Sequence, residues 1–360
     1  MADDDQDEFD ALLVSEADKY KPLIERHPIP ELDGRVVFNG ADGKHEYRVD
    51  GLLAPRSGTA IIKASFPAFL PRQCVNKFFG NWLKNGNKYA DEIENAETEA
   101  DAMRAIAALW DKKGSESRIR GTALHKRIED DLNGVPLLFR IEPAGECAQA
   151  YYAFETWIRH GWPAQRRLRP YRTELPVCWM SETPDENGVL RPVLAGMIDA
   201  VFVDEEGNYT LIDWKRSKPF GPWERAFDER SGYGPASTLP DTTYAHYALQ
   251  LALYARMLKK CAGIDVGKRR FLVRFPSDVD PSQAVDAETI DAVEMSTVDI
   301  VAEELLARLA RDEPVVRDDE KPANVEDDPE VLWLDPELNC PKAFKAKKAK
   351  FAAMRAARGK

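Results

Sequence analysis

The chain has 360 residues, 44% hydrophobic and 31% charged, which suits one large globular domain with additions, or two domains. With 50 Lys and Arg against 62 Asp and Glu, the formal net charge is -12. That balance argues against a sequence-independent nucleic-acid coat protein, though not against an enzyme that holds nucleic acid in a local groove. No apolar run approaches the roughly 18 residues that span a bilayer. The acidic start, MADDDQDEFD, lacks the basic and apolar regions of a signal peptide. No membrane association and an intracellular location are therefore expected. Cys74, Cys147, Cys178, Cys261 and Cys340 are scattered without a CxxC pair, so they read as reduced structural thiols.

Residues 1–20 read as a flexible acidic tail. Residues 21–114 form an accessory region with short strands at Arg35–Phe38 and Glu46–Val49 around the turn-rich NGADGK segment. Ser57–Phe66 leads into FPAFLPRQ and a short helix carrying Phe78, Phe79 and Trp82. Residues 90–113 have apolar positions at helical spacing and end near Gly114.

A core follows over 115–312. A helix at Ser115–Leu132 is capped by Ser115 or Ser117 and stopped by Asn133-Gly134, and a second helix spans Ala148–His160. Strands are predicted at Leu168–Met180, Val193–Val203 and Tyr209–Lys215, the last two joined by the hairpin turn DEEGN. After a Pro/Gly loop at 216–242 come an amphipathic helix, Tyr244–Lys260, a strand, Arg269–Phe275, and a helix, Thr297–Arg311. That order predicts an α/β sandwich around a mixed sheet. Residues 313–330 read as an acidic linker, and the chain closes on the basic PKAFKAKKAKFAAMRAARGK.

Asp213 and Lys215 in LIDWK are two apart on a strand and share a face, and the hairpin brings Asp199 of LAGMIDAVFV beside them. Hard oxygen donors of this kind suit Mg²⁺ or Mn²⁺. In GTALHKRIE, His125 shares a helical face with Gly121, expected to permit close approach to the sheet, and with Glu129. His246, Gln250 and Tyr254 form one stripe of YAHYALQLALY. Taken singly, each is more often a surface hairpin, an ordinary helix histidine or a polar helix edge; their order along the chain is the signal.

The order G-x-x-x-H on a helix, G-x-x-D on a strand, D-x-K on its partner and Q-x-x-x-Y on a helix resembles the PD-(D/E)xK nuclease superfamily. It is most similar to the branch holding the RecB nuclease domain, lambda exonuclease and the mitochondrial single-strand exonucleases, over roughly residues 115–275. The resemblance implies a restriction-endonuclease-like fold and a Mg²⁺- or Mn²⁺-dependent DNA exonuclease of replication, repair or recombination. It implies one or two ions held by His125, Asp199, Asp213 and the Trp214 carbonyl. Lys215 would lie by the attacking water, with Gln250 and Tyr254 supporting the lysine and the phosphate. Glu174, in YRTELPV, matches a strand acid that precedes the metal-binding pair, and a salt bridge to Arg172 is the rival reading. Ile198 stands where the family's hallmark proline would be. Without the CxxC-type set that some relatives use, no iron–sulfur cluster is expected.

The basic segment Arg159–Arg169 offers Trp162 for base stacking and Arg166, Arg167 and Arg169 for phosphates; Lys218 is a further candidate. A solvated loop around a core tryptophan is the competing reading. The basic C-terminus reads equally as a DNA arm, a nuclear signal or a plain helix end. The expected partner is DNA, single-stranded or with a free end. Helicase motifs are absent, so any helicase or replication factor would be a separate partner. Two rivals stay open: a non-catalytic nucleic-acid-binding module, and a hydrolase of small phosphorylated substrates. The residues themselves do not separate DNA from RNA, or exonuclease from structure-specific endonuclease.

Overall fold

The computed structural model describes residues 21–40, 45–85, 88–136, 146–277, 285–293, 295, 297–320, 333, 335 and 337–358. The expected acidic tail, the centre of the NGADGK turn and most of the acidic linker lie outside them. The described residues fall into two compact units. One draws on Met1–Pro67 and Arg120–Lys321, the other on Ala68–Ile119 and Pro322–Lys360. Among them no helix is long and apolar enough to cross a membrane.

The first unit is a mixed α/β structure. It opens with the short helix α1 (Leu23–Arg26) and a three-stranded antiparallel sheet of β1 (Val36–Asn39), β2 (Glu46–Val49) and β3 (Leu52–Ala54). The helix α2 (Gly58–Ser65) follows, started by the Ser57 hydroxyl, which accepts the Ala60 N–H at 3.2 Å. The central sheet holds β4 (Arg169–Met180), β5 (Pro192–Val203), β6 (Tyr209–Ser217), β7 (Arg270–Pro276) and β8 (Glu288–Asp291) in that order. Only β6 and β7 run parallel, and α8 (Thr243–Ala262) makes the crossover between them. Thr242 caps α8 by accepting the Ala245 N–H at 3.1 Å, and Gly263 ends it in the left-handed region at φ 70°.

The two sheet faces carry different apolar sets. Trp214 and Ile212 of β6, Phe202 of β5 and Phe275 of β7 pack against Leu124, Ile128 and Leu132, and against Phe154 and Trp157 of α6 (Glu146–His160), which the short helix α7 (Trp162–Gln165) follows. The Trp214 ring meets the Trp157 ring edge-on at 5.5 Å. On the other face Leu211 and Leu272 meet α8 and α9 (Val298–Ala310). Each large side chain buried in this way contributes roughly 2–3 kcal/mol.

The second unit packs α3 (Pro71–Asn85), α4 (Ala90–Asn95), the first part of α5 (Glu99–Leu132) and α10 (Pro341–Arg358) around Phe79, Ile93, Met103, Ile106, Trp333, Phe344 and Phe351. One sequence expectation is corrected here. The helix predicted to end near Gly114 runs on without a break to Leu132, so Ser115 is no cap; its hydroxyl accepts from Arg118 at 3.0 Å. The basic C-terminus is helical, with Phe344 and Phe351 buried. The stop at Asn133-Gly134 stands as expected: Gly134 has φ 69°, and the Asn133 side chain donates to the Glu129 carbonyl at 2.8 Å.

Candidate active site

The β5–β6 register pairs Ala200 with Ile212, which sets Asp199 beside Asp213 one step nearer the open ends of these strands. Ile212 and Trp214 point into one core, so Asp213 and Lys215 leave the opposite face. Asp199 Oδ2 accepts the Trp214 N–H at 2.7 Å and stands 3.6 Å from His125 Nδ1. The other ring nitrogen of His125, Nε2, lies 3.0 Å from the Trp214 carbonyl. A carbonyl only accepts, so Nε2 carries the proton, and Nδ1 is the nitrogen that faces the carboxylates.

Asp213 Oδ2 and Lys215 Nζ form an ion pair at 2.6 Å, and the ammonium lies 4.6 Å over the Tyr247 ring. Burial drives the Asp213 carboxyl up, Asp199 adds to this against the pull of Lys215, and the group is pushed up to about 6. For Lys215, burial favours the neutral amine, but Asp213 and Asp199 outweigh it and hold the ammonium above its ordinary value.

Glu174 completes the arrangement from β4. Its neighbours Thr173 and Leu175 pair with Ala200 and Ile198, so Glu174 lies across from Asp199. Its φ of 43° is in the left-handed region, in the middle of a strand, where a non-glycine residue is strained by about 1–3 kcal/mol. Donor atoms of His125, Glu174 and Asp199 all lie within 4.8 Å of one another. Burial, followed by the charge of Asp199, pushes the Glu174 carboxyl up to about 8. A cleft of about 410 Å³ opens beside it, lined by Lys126, Glu129, Asn133, Arg172 and Thr173 among others. The rival salt bridge from Glu174 to Arg172 is not formed; Arg172 pairs with Asp33 at 2.7 Å.

Gln250 donates to the Tyr254 hydroxyl at 3.1 Å, and Tyr254 is buried. A Cβ on Gly58 would fall 2.5 Å from the Tyr254 ring, and one on Gly196 2.4 Å from it. The tyrosine therefore occupies a slot that both glycines leave open. Sequence reasoning used Gly196 only as the first letter of G-x-x-D and passed over Gly58; an intolerance of any side chain there has no signature in one sequence. Tyr247 was missed too, because alone it reads as an ordinary helix aromatic. Conversely, a Cβ on Gly121 would meet nothing within 4 Å, so the expected close approach to the sheet is absent.

The candidate nucleic-acid residues of the segment Arg159–Arg169 do not assemble around this centre. Trp162 packs on Phe271 at 4.5 Å, and the Arg166 guanidinium stacks on its ring at 4.7 Å. Arg167 pairs with Glu205 at 3.0 Å. Arg169 pairs in register with Val203, itself opposite Tyr209, so it lies at the hairpin end of the sheet. Glu174 is five positions further along β4, roughly 17 Å of strand. Lys218 is exposed just beyond Ser217, at the end of β6 that carries Asp213 and Lys215.

No protein-family model matches the chain, and no curated protein matches it. Among solved structures, a protein described as SSO0001 is similar over 69% of this chain and 73% of its own, with 13% identity and a TM-score of 0.27. A likeness of that size carries no argument about fold or activity.

Proposed function

We propose that the chain is a divalent-metal-dependent deoxyribonuclease with a PD-(D/E)xK-type core of the RecB-like branch, hydrolysing phosphodiester bonds from a DNA end. The observation that supports this most is the convergence of His125, Glu174 and Asp199 beside the Asp213–Lys215 pair. The donor set fits a hard divalent cation. Donor atoms of two carboxylates and an imidazole lie within 4.8 Å of one another, and burial, with the charge of Asp199, pushes the Glu174 and Asp213 carboxyls up to about 8 and about 6. His125, Glu174 and Asp199 would hold the ion, with Asp213 adjacent. When bound, it supplies positive charge against the developing phosphorane and acidifies water.

The rest belongs to the protein. Asp213 fixes the Lys215 ammonium in place and keeps it charged, so it can orient a water and stabilise charge on the phosphate oxygens. Tyr247 covers the ammonium. The Trp214 carbonyl holds His125 in one orientation, and the Trp214 N–H does the same for Asp199. Gln250 orients the Tyr254 hydroxyl.

End-labelled single strands, linear duplexes and closed circles, each incubated with Mg²⁺ or Mn²⁺, test the proposal. Label should be released from the linear substrates and not in EDTA, while closed circles survive. Cutting of closed circles would make the enzyme an endonuclease. Binding of DNA with no hydrolysis in either metal would leave a non-catalytic module of the same fold.

A further inference from the structure

Helices α3 and α10 carry three and seven Lys and Arg, respectively, and no Asp or Glu, although acids outnumber bases in the chain as a whole. The two helices share one core, in which Phe79 of α3 meets Phe344 of α10 at 6.5 Å. Three cations of α10 have partners within this unit. Lys347 pairs with Glu99, Lys348 donates to the Ala96 carbonyl at 2.6 Å, and Arg355 pairs with Glu94 at 2.5 Å. Lys342, Lys345 and Lys350 lie on the other sides of the helix and are exposed.

That outward charge opposes helix stability. Lys342 is in the first turn, where the helix dipole disfavours a cation, and no acid is there to offset it. Lys342 and Lys345 are like charges at i, i+3. Between the lysines the exposed positions are alanines (Ala343, Ala346, Ala349), with no large apolar side chain to enter a bilayer. Small residues between cations leave room for a polyanionic backbone to lie close.

We infer that this lysine face of α10 docks the phosphate backbone of nucleic acid, with the cations of α3 adding to its field. The inference goes beyond the proposed hydrolysis and does not rest on it.

The test uses the full chain in EDTA, a fluorescein-labelled 30-base-pair duplex and anisotropy over a KCl series. Lys342→Gln, Lys345→Gln and Lys350→Gln combined should weaken binding at least about tenfold. They should also lower the slope of log affinity against log salt by about 3, near one per phosphate contact. The melting temperature should hold or rise, because repulsion is removed. The same three positions changed to Arg should keep the wild-type affinity and slope. Three results would overturn the inference: wild-type protein that leaves the duplex unbound, an unchanged slope in the Gln variant, or lysine-dependent binding to phosphatidylserine vesicles without binding to DNA. Binding that persists while no metal supports hydrolysis would remove the nuclease reading and leave this one standing.

Discussion

Glu174 is held in a strained backbone conformation, with its carboxyl across from Asp199. A folded-state value of about 8 against an ordinary 4.5 means that the folded protein binds this proton more tightly than the unfolded chain. The sign follows: this group's contribution is most favourable below pH 4.5, and stability falls as pH rises from there towards 8. In metal-free buffer, Glu174→Gln should raise stability at pH 8 by on the order of 2–3 kcal/mol and have no such effect at pH 4. Urea unfolding at the two pH values checks this. Mg²⁺ should stabilise wild type more than the variant; an equal gain would remove Glu174 from the metal site. The slot around Tyr254 makes a second residue-scale prediction. Gly196→Ala puts a methyl 2.4 Å from a buried ring, which should cost about 1–3 kcal/mol and lower hydrolysis by displacing the tyrosine. Unchanged stability and activity together would show that the slot is not required.

The elements behind the site are joined by ion pairs on the face of the sheet covered by α8 and α9. Asp299 of α9 pairs with Arg256 of α8 at 2.7 Å and with the buried Arg270 of β7 at 2.6 Å. Burial opposes its charge, but hydrogen bonds from Arg270 and then Arg256 win and hold its carboxyl down to about 2. The sign is the reverse of that for Glu174: this stabilisation is present above pH 3.8 and is lost as pH falls through 2. Asp299→Ala should cost about 3–5 kcal/mol at pH 7, because Arg270 is left buried and unpaired, and the penalty should shrink below pH 3. A penalty independent of pH would refute the pairing. Much of this layer was legible, because β4, β5, β6 and β7 show apolar runs bounded by turns and α8 has a cap at each end. β3 and β8 were not legible, since three or four residues carry little pattern alone, whereas the equally short β1 and β2 are marked by the turn-rich NGADGK segment between them. The break expected at Gly114 was misread for a different reason. A glycine costs a helix only about 1 kcal/mol, and α5 buries Ile106 on one side of it and Leu124 on the other.

For the whole molecule, two units with separate cores predict two separable unfolding events. Phe351→Ala empties the core of the second unit and should lower its transition by about 3–5 kcal/mol, while the transition sensitive to Asp299→Ala stays in place. Calorimetry of both variants checks this; a single transition lowered by either change would contradict it. The site was legible as a set of letters in order. What one sequence could not show was spatial: Glu174 beside Asp199, Asp213 tied to Lys215, and a basic C-terminus folded onto aromatic side chains. The most direct test of the account is Mg²⁺-dependent hydrolysis of end-labelled DNA by Asp199→Asn, which removes the charge but keeps an oxygen for the Trp214 N–H. The account predicts a loss of at least about a hundredfold with the unfolding midpoint no lower than that of wild type; hydrolysis at the wild-type rate would contradict it.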